Sequence, residues 1–138
     1  MNAVDTNVFI YAIDSAEALK GPIAQSLLDR LDSEDTVLLW QVACEFSAVC
    51  TKLVQRGIST LDVADATQAL RLRYPLILPD PTVLEAALQI RKDHGTSFWD
   101  ALLLAGCLSS GVDTLYSEDF SEGFSHPRLT IVNPFRTK

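Results

Sequence analysis

The sequence predicts an α/β fold in which helices cover both faces of a mainly parallel β-sheet. Short apolar segments typical of buried strands alternate with amphipathic segments of about 10 to 15 residues, which is the pattern of β–α–β units. The chain has 138 residues, 48% of them hydrophobic and 21% charged, which is enough for one packed core. We therefore expect residues 1–138 to form a single domain, with ligands bound at the carboxyl ends of the strands.

Apolar spacing and helix-capping residues mark each element in the first half of the chain. A short strand ends at Asp5, and a helical turn with Thr6 or Asn7 as its N-cap follows. Apolar residues at helical spacing predict the later helices. The elements predicted up to residue 73 are a helix over 21–33, a strand over 36–40, a helix over 41–57 that ends at Gly57, and a helix over 61–73 opened by Ser59 and Thr60.

The second half of the chain continues this alternation, and its two helices have clear end signals. Asp80 and Pro81 open the first of them and Gly95 closes it, while Ser97 opens the second. The elements predicted here are a strand over 76–79, helices over 80–95 and 97–111, a strand over 113–117, a loop over 118–128 and a strand over 129–135.

Net charge and apolar run length bear on partners and location. The formal net charge of −7 argues against a nucleic-acid-binding protein, unless several of the acids converge on bound cations. No apolar run is long enough to span a bilayer, and no secretory signal follows Met1. We therefore expect a cytoplasmic location.

The cysteines and histidines offer no metal or nucleophile pattern. Cys44, Cys50 and Cys107 form no CxxC pair and lie in apolar helical segments, so we expect three buried thiols in a reducing compartment. His94 lies at a helix end and His126 before a proline. Neither histidine is placed to act as the base of a nucleophile.

Four acidic residues stand in surroundings that do not explain them. Asp100 lies among aromatic residues, leucines and alanines, and Glu45 has no basic residue three or four positions away. Asp5 and Asp119 follow predicted strands at the same sheet edge. A buried carboxylate without a partner is unfavourable, so a cation or water must contact it.

Each of these acids also has an ordinary interpretation. Asp5 would cap the following helix, and Asp100 would form a capping box with Ser97. Glu45 would lie at a solvated helix edge, and Asp119 would be a loop residue. Taken together, four carboxylates without histidine form a hard oxygen site, which suits Mg²⁺ or Mn²⁺. Such a site indicates hydrolysis of phosphate esters by a metal-activated water.

The segments that carry these acids resemble the PIN-domain ribonucleases, and within them the VapC-type toxins of bacterial toxin–antitoxin pairs. The matching segments are VDTNVFIYAID at 4–14, QVACEFSAV at 41–49, SFWDALLLAGC at 97–107, and the stretch 113–135. The resemblance implies a three-layer α/β/α sandwich with a sheet of four to five strands. It also implies Mg²⁺- or Mn²⁺-dependent cleavage of RNA, a cognate antitoxin protein as partner, and a homodimer.

The resemblance also assigns the site residues. It makes four acids both metal ligands and catalytic residues: Asp5, Glu45, Asp100 and Asp119. It adds three supporting residues: Thr6, Asn7 and Ser117. Many relatives have a basic residue where this chain has Glu118, which we expect to point away from the site. Trp99 is interpreted as a packing residue beside Phe98, rather than as a surface for stacking bases.

Several other functions fit parts of the sequence. A housekeeping PIN nuclease would carry the same four acids, and an α/β binding module that has lost catalysis would need no metal. A HAD-like phosphatase requires a second aspartate where Asn7 stands. A receiver domain requires paired acids after the first strand and a late lysine after a strand, which this sequence does not supply convincingly.

Overall fold

The computed structural model of the chain describes residues 1–120 and 124–136. Within them lie five strands and six helices. The strands are β1 (Asn2–Val4), β2 (Thr36–Leu39), β3 (Leu76–Ile77), β4 (Thr114–Tyr116) and β5 (Thr130–Val132). The helices are α1 (Thr6–Ile13), α2 (Lys20–Arg30), α3 (Trp40–Gln55), α4 (Val63–Arg73), α5 (Pro81–His94) and α6 (Phe98–Ser109).

The sheet has the strand order β3-β2-β1-β4-β5, and all of its pairings are parallel. The chain moves outward from β1 through β2 to β3, and then crosses back to place β4 on the other side of β1. This reversal leaves a crevice between the carboxyl ends of β1 and β4, where parallel α/β sheets bind their ligands. The fold therefore brings the residues after β1 next to those after β4.

Helices form the outer layers of the sandwich. Helix α1 packs against both α2 and α3, α3 also packs against α4, and α5 packs on α6. The main core contains fully buried residues from the strands and both helix groups, including Val4, Val8, Leu38, Leu104 and Leu115. The predicted three-layer α/β/α sandwich with a sheet of four to five strands is thus confirmed.

Small side chains permit the close approach of α5 and α6. A separate buried cluster joins Val83 and Ala87 of α5 to Ala101 and Ala105 of α6. The ends of α5 are as predicted, because Asp80 accepts a hydrogen bond from the Thr82 amide at 2.7 Å and Gly95 closes the helix at a φ of 67°. Only glycine adopts this left-handed conformation readily.

Two helix starts differ in detail from the predictions. Asp5 is the N-cap of α1, as one of the predicted alternatives had it, and Thr6 and Asn7 are not. The helix α4 begins at Val63 with Asp62 as its cap, two residues after the predicted start at residue 61, so the prediction that Ser59 and Thr60 open it was wrong. The Ser59 hydroxyl instead accepts a hydrogen bond from the Leu61 amide at 3.1 Å. Serine here stabilises a turn, which is the alternative use of such side chains.

Two predictions about burial were also wrong. Cys50 and Cys107 are buried, and burial raises the pKa of the Cys107 thiol to about 12, but Cys44 is exposed. It lies on the face of α3 opposite to the buried Phe46. Trp99 is 65% exposed, since its contact with Phe98 is edge-to-face and leaves most of the indole in solvent.

The predicted loop 118–128 is described in part, because residues 121–123 lie outside the described residues. Among the helices of the described ranges, none combines the length and apolar character that crossing a membrane requires.

Candidate active site

Asp5 is the central residue of the candidate site. It follows β1 directly and caps α1, and it is only 6% exposed. One carboxylate oxygen accepts a hydrogen bond from the Thr6 amide at 2.7 Å, and the other accepts one from the Ser117 hydroxyl at 2.7 Å. Asp5 is therefore a helix cap, as one predicted alternative had it, and it also faces the end of β4.

The electrostatic surroundings of Asp5 disfavour its charged form. Burial raises the pKa of Asp5 to about 6, and the negative charges of Asp119 and Glu45 add to this rise. The hydrogen bonds from Ser117 and Thr6 lower the pKa of Asp5, but they do not compensate. Within the described ranges, Asp5 takes part in no ion pair.

Ser117 connects the first acid to the last one. It is buried, and its hydroxyl donates to Asp5 while accepting a hydrogen bond from the Asp119 amide at 3.1 Å. The Asn7 side-chain amide in turn donates to the Asp119 carboxylate at 3.3 Å. The structure thus brings together Asp5, Asn7, Ser117 and Asp119 from the ends of β1 and β4.

Asp119 is more exposed than Asp5 and has a less perturbed environment. Partial burial raises the pKa of Asp119, and the charges of Glu118 and Asp100 raise it further. The Asp5 side chain and the Lys20 ammonium group act in the opposite direction. Asp100 of α6 is therefore close enough for its negative charge to act on the Asp119 carboxylate.

Glu45 and Asp100 approach the site from the early turns of α3 and α6. The Thr6 hydroxyl lies 3.4 Å from a Glu45 carboxylate oxygen. The Asp100 amide donates to the Ser97 hydroxyl at 3.2 Å, which is one half of the predicted capping box. The Asp100 carboxylate accepts no hydrogen bond from the Ser97 amide, so its oxygens are not occupied by helix capping.

Glu118 faces away from the other acids. Its carboxylate accepts hydrogen bonds from the Tyr11 hydroxyl and from the Lys20 ammonium group, the latter at 2.7 Å. Burial raises the pKa of Glu118, but these two bonds outweigh burial and bring the pKa below its usual value. The roles of Tyr11 and Lys20 were not predicted from the sequence, because no local pattern links them to a residue about a hundred positions away.

The donor atoms of the four acids suit a hard divalent cation. All are carboxylate oxygens, and the one that is buried lacks a positive partner, so a bound cation would offset its unfavourable charge. As the side chains stand, no three histidine, cysteine or acidic residues within 1–120 and 124–136 are already arranged to hold a metal ion. Asp5, Glu45, Asp100 and Asp119 would therefore have to move closer together to bind one.

Comparison with known proteins identifies the family. The family model described as PIN domain matches residues 3–126, which includes both strand ends and all four acids. This chain belongs to the PIN domain family. A comparison with curated proteins gave no match.

Solved structures share this PIN fold at low sequence identity. A chain of a toxin–antitoxin complex from Klebsiella pneumoniae superposes with a TM-score of 0.74 at 15% identity, covering 99% of this chain and 100% of that one. VapC20 from Mycobacterium tuberculosis, a toxin that cleaves the sarcin–ricin loop, has a TM-score of 0.66 at 23% identity, with 88% and 92% covered.

A third similar structure is a chain of FitAcB from Neisseria gonorrhoeae, with a TM-score of 0.63 at 19% identity and 99% and 100% covered. At such identities the superpositions show a shared PIN fold. The resemblance to the PIN domain family is confirmed, and the similar structures include a VapC toxin.

Proposed function

We propose that this PIN domain is a divalent-metal-dependent endoribonuclease and the toxin of a toxin–antitoxin pair. The observation that carries the proposal is the buried Asp5 carboxylate, which faces other acids and has no cationic partner in the described residues. PIN domain proteins are nucleases as a family. The arrangement also disfavours the HAD-like alternative, because the position two residues after Asp5 holds Asn7, whose side chain binds Asp119.

Four residues would hold the metal: Asp5, Glu45, Asp100 and Asp119. Mg²⁺ or Mn²⁺, when bound there, supplies the Lewis-acid chemistry for hydrolysis of a phosphodiester bond. Ser117 and the Thr6 amide orient the two oxygens of Asp5, and Asn7 orients Asp119. A bound cation would keep the Asp5 carboxylate ionised, so Asp5 would serve as a ligand, and one of the four carboxylates would accept the proton of the attacking water.

The proposed substrate and antitoxin rest on the similar structures. VapC20 is a toxin that cleaves the sarcin–ricin loop, and the Klebsiella chain comes from a toxin–antitoxin complex. We extend RNA cleavage and an antitoxin partner from them to this chain, together with a cytoplasmic location.

The second copy of the proposed homodimer would cover a face of α3 and α6. Trp40 and Trp99 are 47% and 65% exposed, and they line one open groove of about 880 Å³ with Leu102, Lys52 and the proposed ligand Glu45. Exposed apolar patches of this kind mark interaction surfaces. A two-fold dimer would bury the same patch from both copies, and we propose a second chain as its occupant.

The nuclease proposal is tested by cleavage of a mixed tRNA and rRNA substrate, with Mg²⁺ or Mn²⁺ against EDTA, using protein freed of any bound antitoxin. Asp5→Ala should reduce metal-dependent cleavage by about 100-fold or more, since it removes a proposed ligand of the cation that would activate the attacking water. Asp65→Ala, an exposed acid of α4, is the matched control. Equal cleavage by wild type and Asp5→Ala would contradict the proposal.

A further inference from the structure

Glu118 is held by two residues from helices that contribute no acid to the candidate site. Tyr11 of α1 donates its hydroxyl to one carboxylate oxygen, and Lys20 at the start of α2 donates to the other at 2.7 Å. The side chain of Glu118 is 18% exposed and that of Lys20 is 40% exposed. The ion pair is therefore partly shielded from water, unlike most surface pairs.

The cation that binds Glu118 is itself fixed by aromatic rings. The Lys20 ammonium group lies 4.9 Å from the centre of the Tyr11 ring and 5.6 Å from that of Phe135, distances at which cation–π attraction operates. These two rings pack edge-to-face at 5.3 Å. The position of Lys20 is thus determined by contacts on several sides and not by the ion pair alone.

A close helix–helix approach allows Lys20 to reach Glu118. Gly21 is buried, and a Cβ atom at this position would lie 3.1 Å from the Tyr11 carbonyl oxygen. The absence of a side chain therefore lets the first turn of α2 lie against the backbone of α1. The Gln25 side-chain amide strengthens this contact by donating to the Ala12 carbonyl at 2.8 Å.

Glu118 lies between two residues of the candidate site. Ser117 before it binds Asp5, and Asp119 after it is contacted by Asn7. Restraining the Glu118 side chain restrains the peptide units on both sides of it. Without this restraint, Asp119 would be held by the Ser117 hydroxyl and the longer 3.3 Å bond from Asn7.

We propose that Tyr11 and Lys20 are positioning residues, which act through Glu118 to fix the Ser117–Asp119 segment in its site geometry. The effect of Tyr11 and Lys20 on metal binding rests on the proposed function. Their effect on the backbone order of the Ser117–Asp119 segment does not. Glu118 is in this view a structural anchor and not a fifth metal ligand. The Lys20 ammonium group opposes the effect of the Glu118 charge on Asp119, since Lys20 lowers the pKa of Asp119 while Glu118 raises it.

The first test measures backbone order at Asp119 by ¹⁵N relaxation in metal-free protein. Tyr11→Phe removes one bond without changing charge, and Lys20→Met removes the other. The Asp119 amide order parameter should fall from about 0.85 in wild type to below about 0.6 in either variant, and Lys20→Arg should retain the wild-type value. Tyr74→Phe is the matched control, since the buried Tyr74 hydroxyl has no hydrogen-bond partner in the described residues.

The second test measures Mn²⁺ affinity by calorimetry. Tyr11→Phe should weaken binding by about 10-fold, the usual effect of losing a residue that orients a ligand, whereas Tyr74→Phe should leave affinity unchanged. Unaltered Asp119 order in both Tyr11→Phe and Lys20→Met would overturn the inference, whatever the metal affinity. Absence of Mn²⁺ binding and cleavage in wild type would instead overturn the proposed function, and the relaxation measurement would still decide the inference.

Discussion

Asp5 determines the electrostatics of the site at the scale of the single residue. Its carboxylate is buried beside two other acids, so its pKa rises to about 6 from a usual value near 3.8. Between these two values the folded protein retains a proton that the unfolded chain has released. Stability of the metal-free protein must therefore fall as the pH rises through this window, and the full loss is present above about pH 6.

Asp5→Asn should reverse this loss, because the amide keeps the shape of the side chain without its charge. In EDTA, the free energy of unfolding near neutral pH should increase by at most about 3 kcal/mol, the equivalent of the pKa difference. At about pH 4 the increase should be small, since Asp5 is then mostly protonated in the folded state. Urea unfolding at both pH values measures the effect, with Asp65→Asn as control. An equal gain at both pH values would contradict the assigned role of burial.

The site residues show what sequence can predict at this scale. Asp5, Asn7, Ser117 and Asp119 were predicted to act together, and direct or shared hydrogen bonds join them. Their assignment as metal and catalytic residues remains a prediction. Side-chain exposure was harder to predict, since Trp99 and Cys44 have apolar neighbours in sequence yet lie on exposed helix faces.

At the scale of the element, helix starts were predictable where two signals coincide. Asp80 followed by Pro81 predicts a single start for α5, because proline is favoured in the first helical turn and aspartate is favoured as the N-cap. The segment from Ser59 to Asp62 contains several residues that cap helices well. Which of them does so depends on where α4 packs against α3, and local sequence does not contain that information.

The N-cap of α5 makes a measurable contribution to the stability of the protein. Asp80→Ala removes the hydrogen bond that the Thr82 amide donates to the Asp80 carboxylate and should lower the free energy of unfolding by about 1 kcal/mol. Glu85→Ala, an exposed position on the same helix, should have little effect. Chemical denaturation of the three proteins provides the comparison, and equal stabilities for the two variants would show that the cap does not contribute.

At the scale of the whole molecule, the exposed indoles of Trp40 and Trp99 predict self-association. Trp99→Glu places a charge in the proposed interface and should convert a dimer to a monomer in sedimentation velocity, since burying an unpaired charge is unfavourable. Leu72→Glu is the control, because Leu72 is 80% exposed on α4 and lies outside this groove. A wild-type monomer, or a dimer that persists in Trp99→Glu, would refute the proposed face.

Alternation of strands and helices was sufficient to predict the layered architecture, but not the contacts that join distant segments. The bonds from Tyr11 and Lys20 to Glu118 span 107 and 98 positions. Nothing in either neighbourhood of the sequence distinguishes these residues from ordinary surface ones. Long-range contacts of this kind depend on the order of the strands in the sheet. They can be inferred only after that order is known.

The central position of β1 has a consequence for the order of folding during synthesis. β1 pairs with β4, and Asp5 finds Ser117 112 residues later in the chain. Contacts of such long range form late, because the intervening chain must first be ordered. A ribosome-bound chain that has not yet extended past β4 exposes an unfinished edge of β1 and holds Asp5 apart from Asp119. The nascent protein is therefore without its assembled acids until synthesis has passed the last of them.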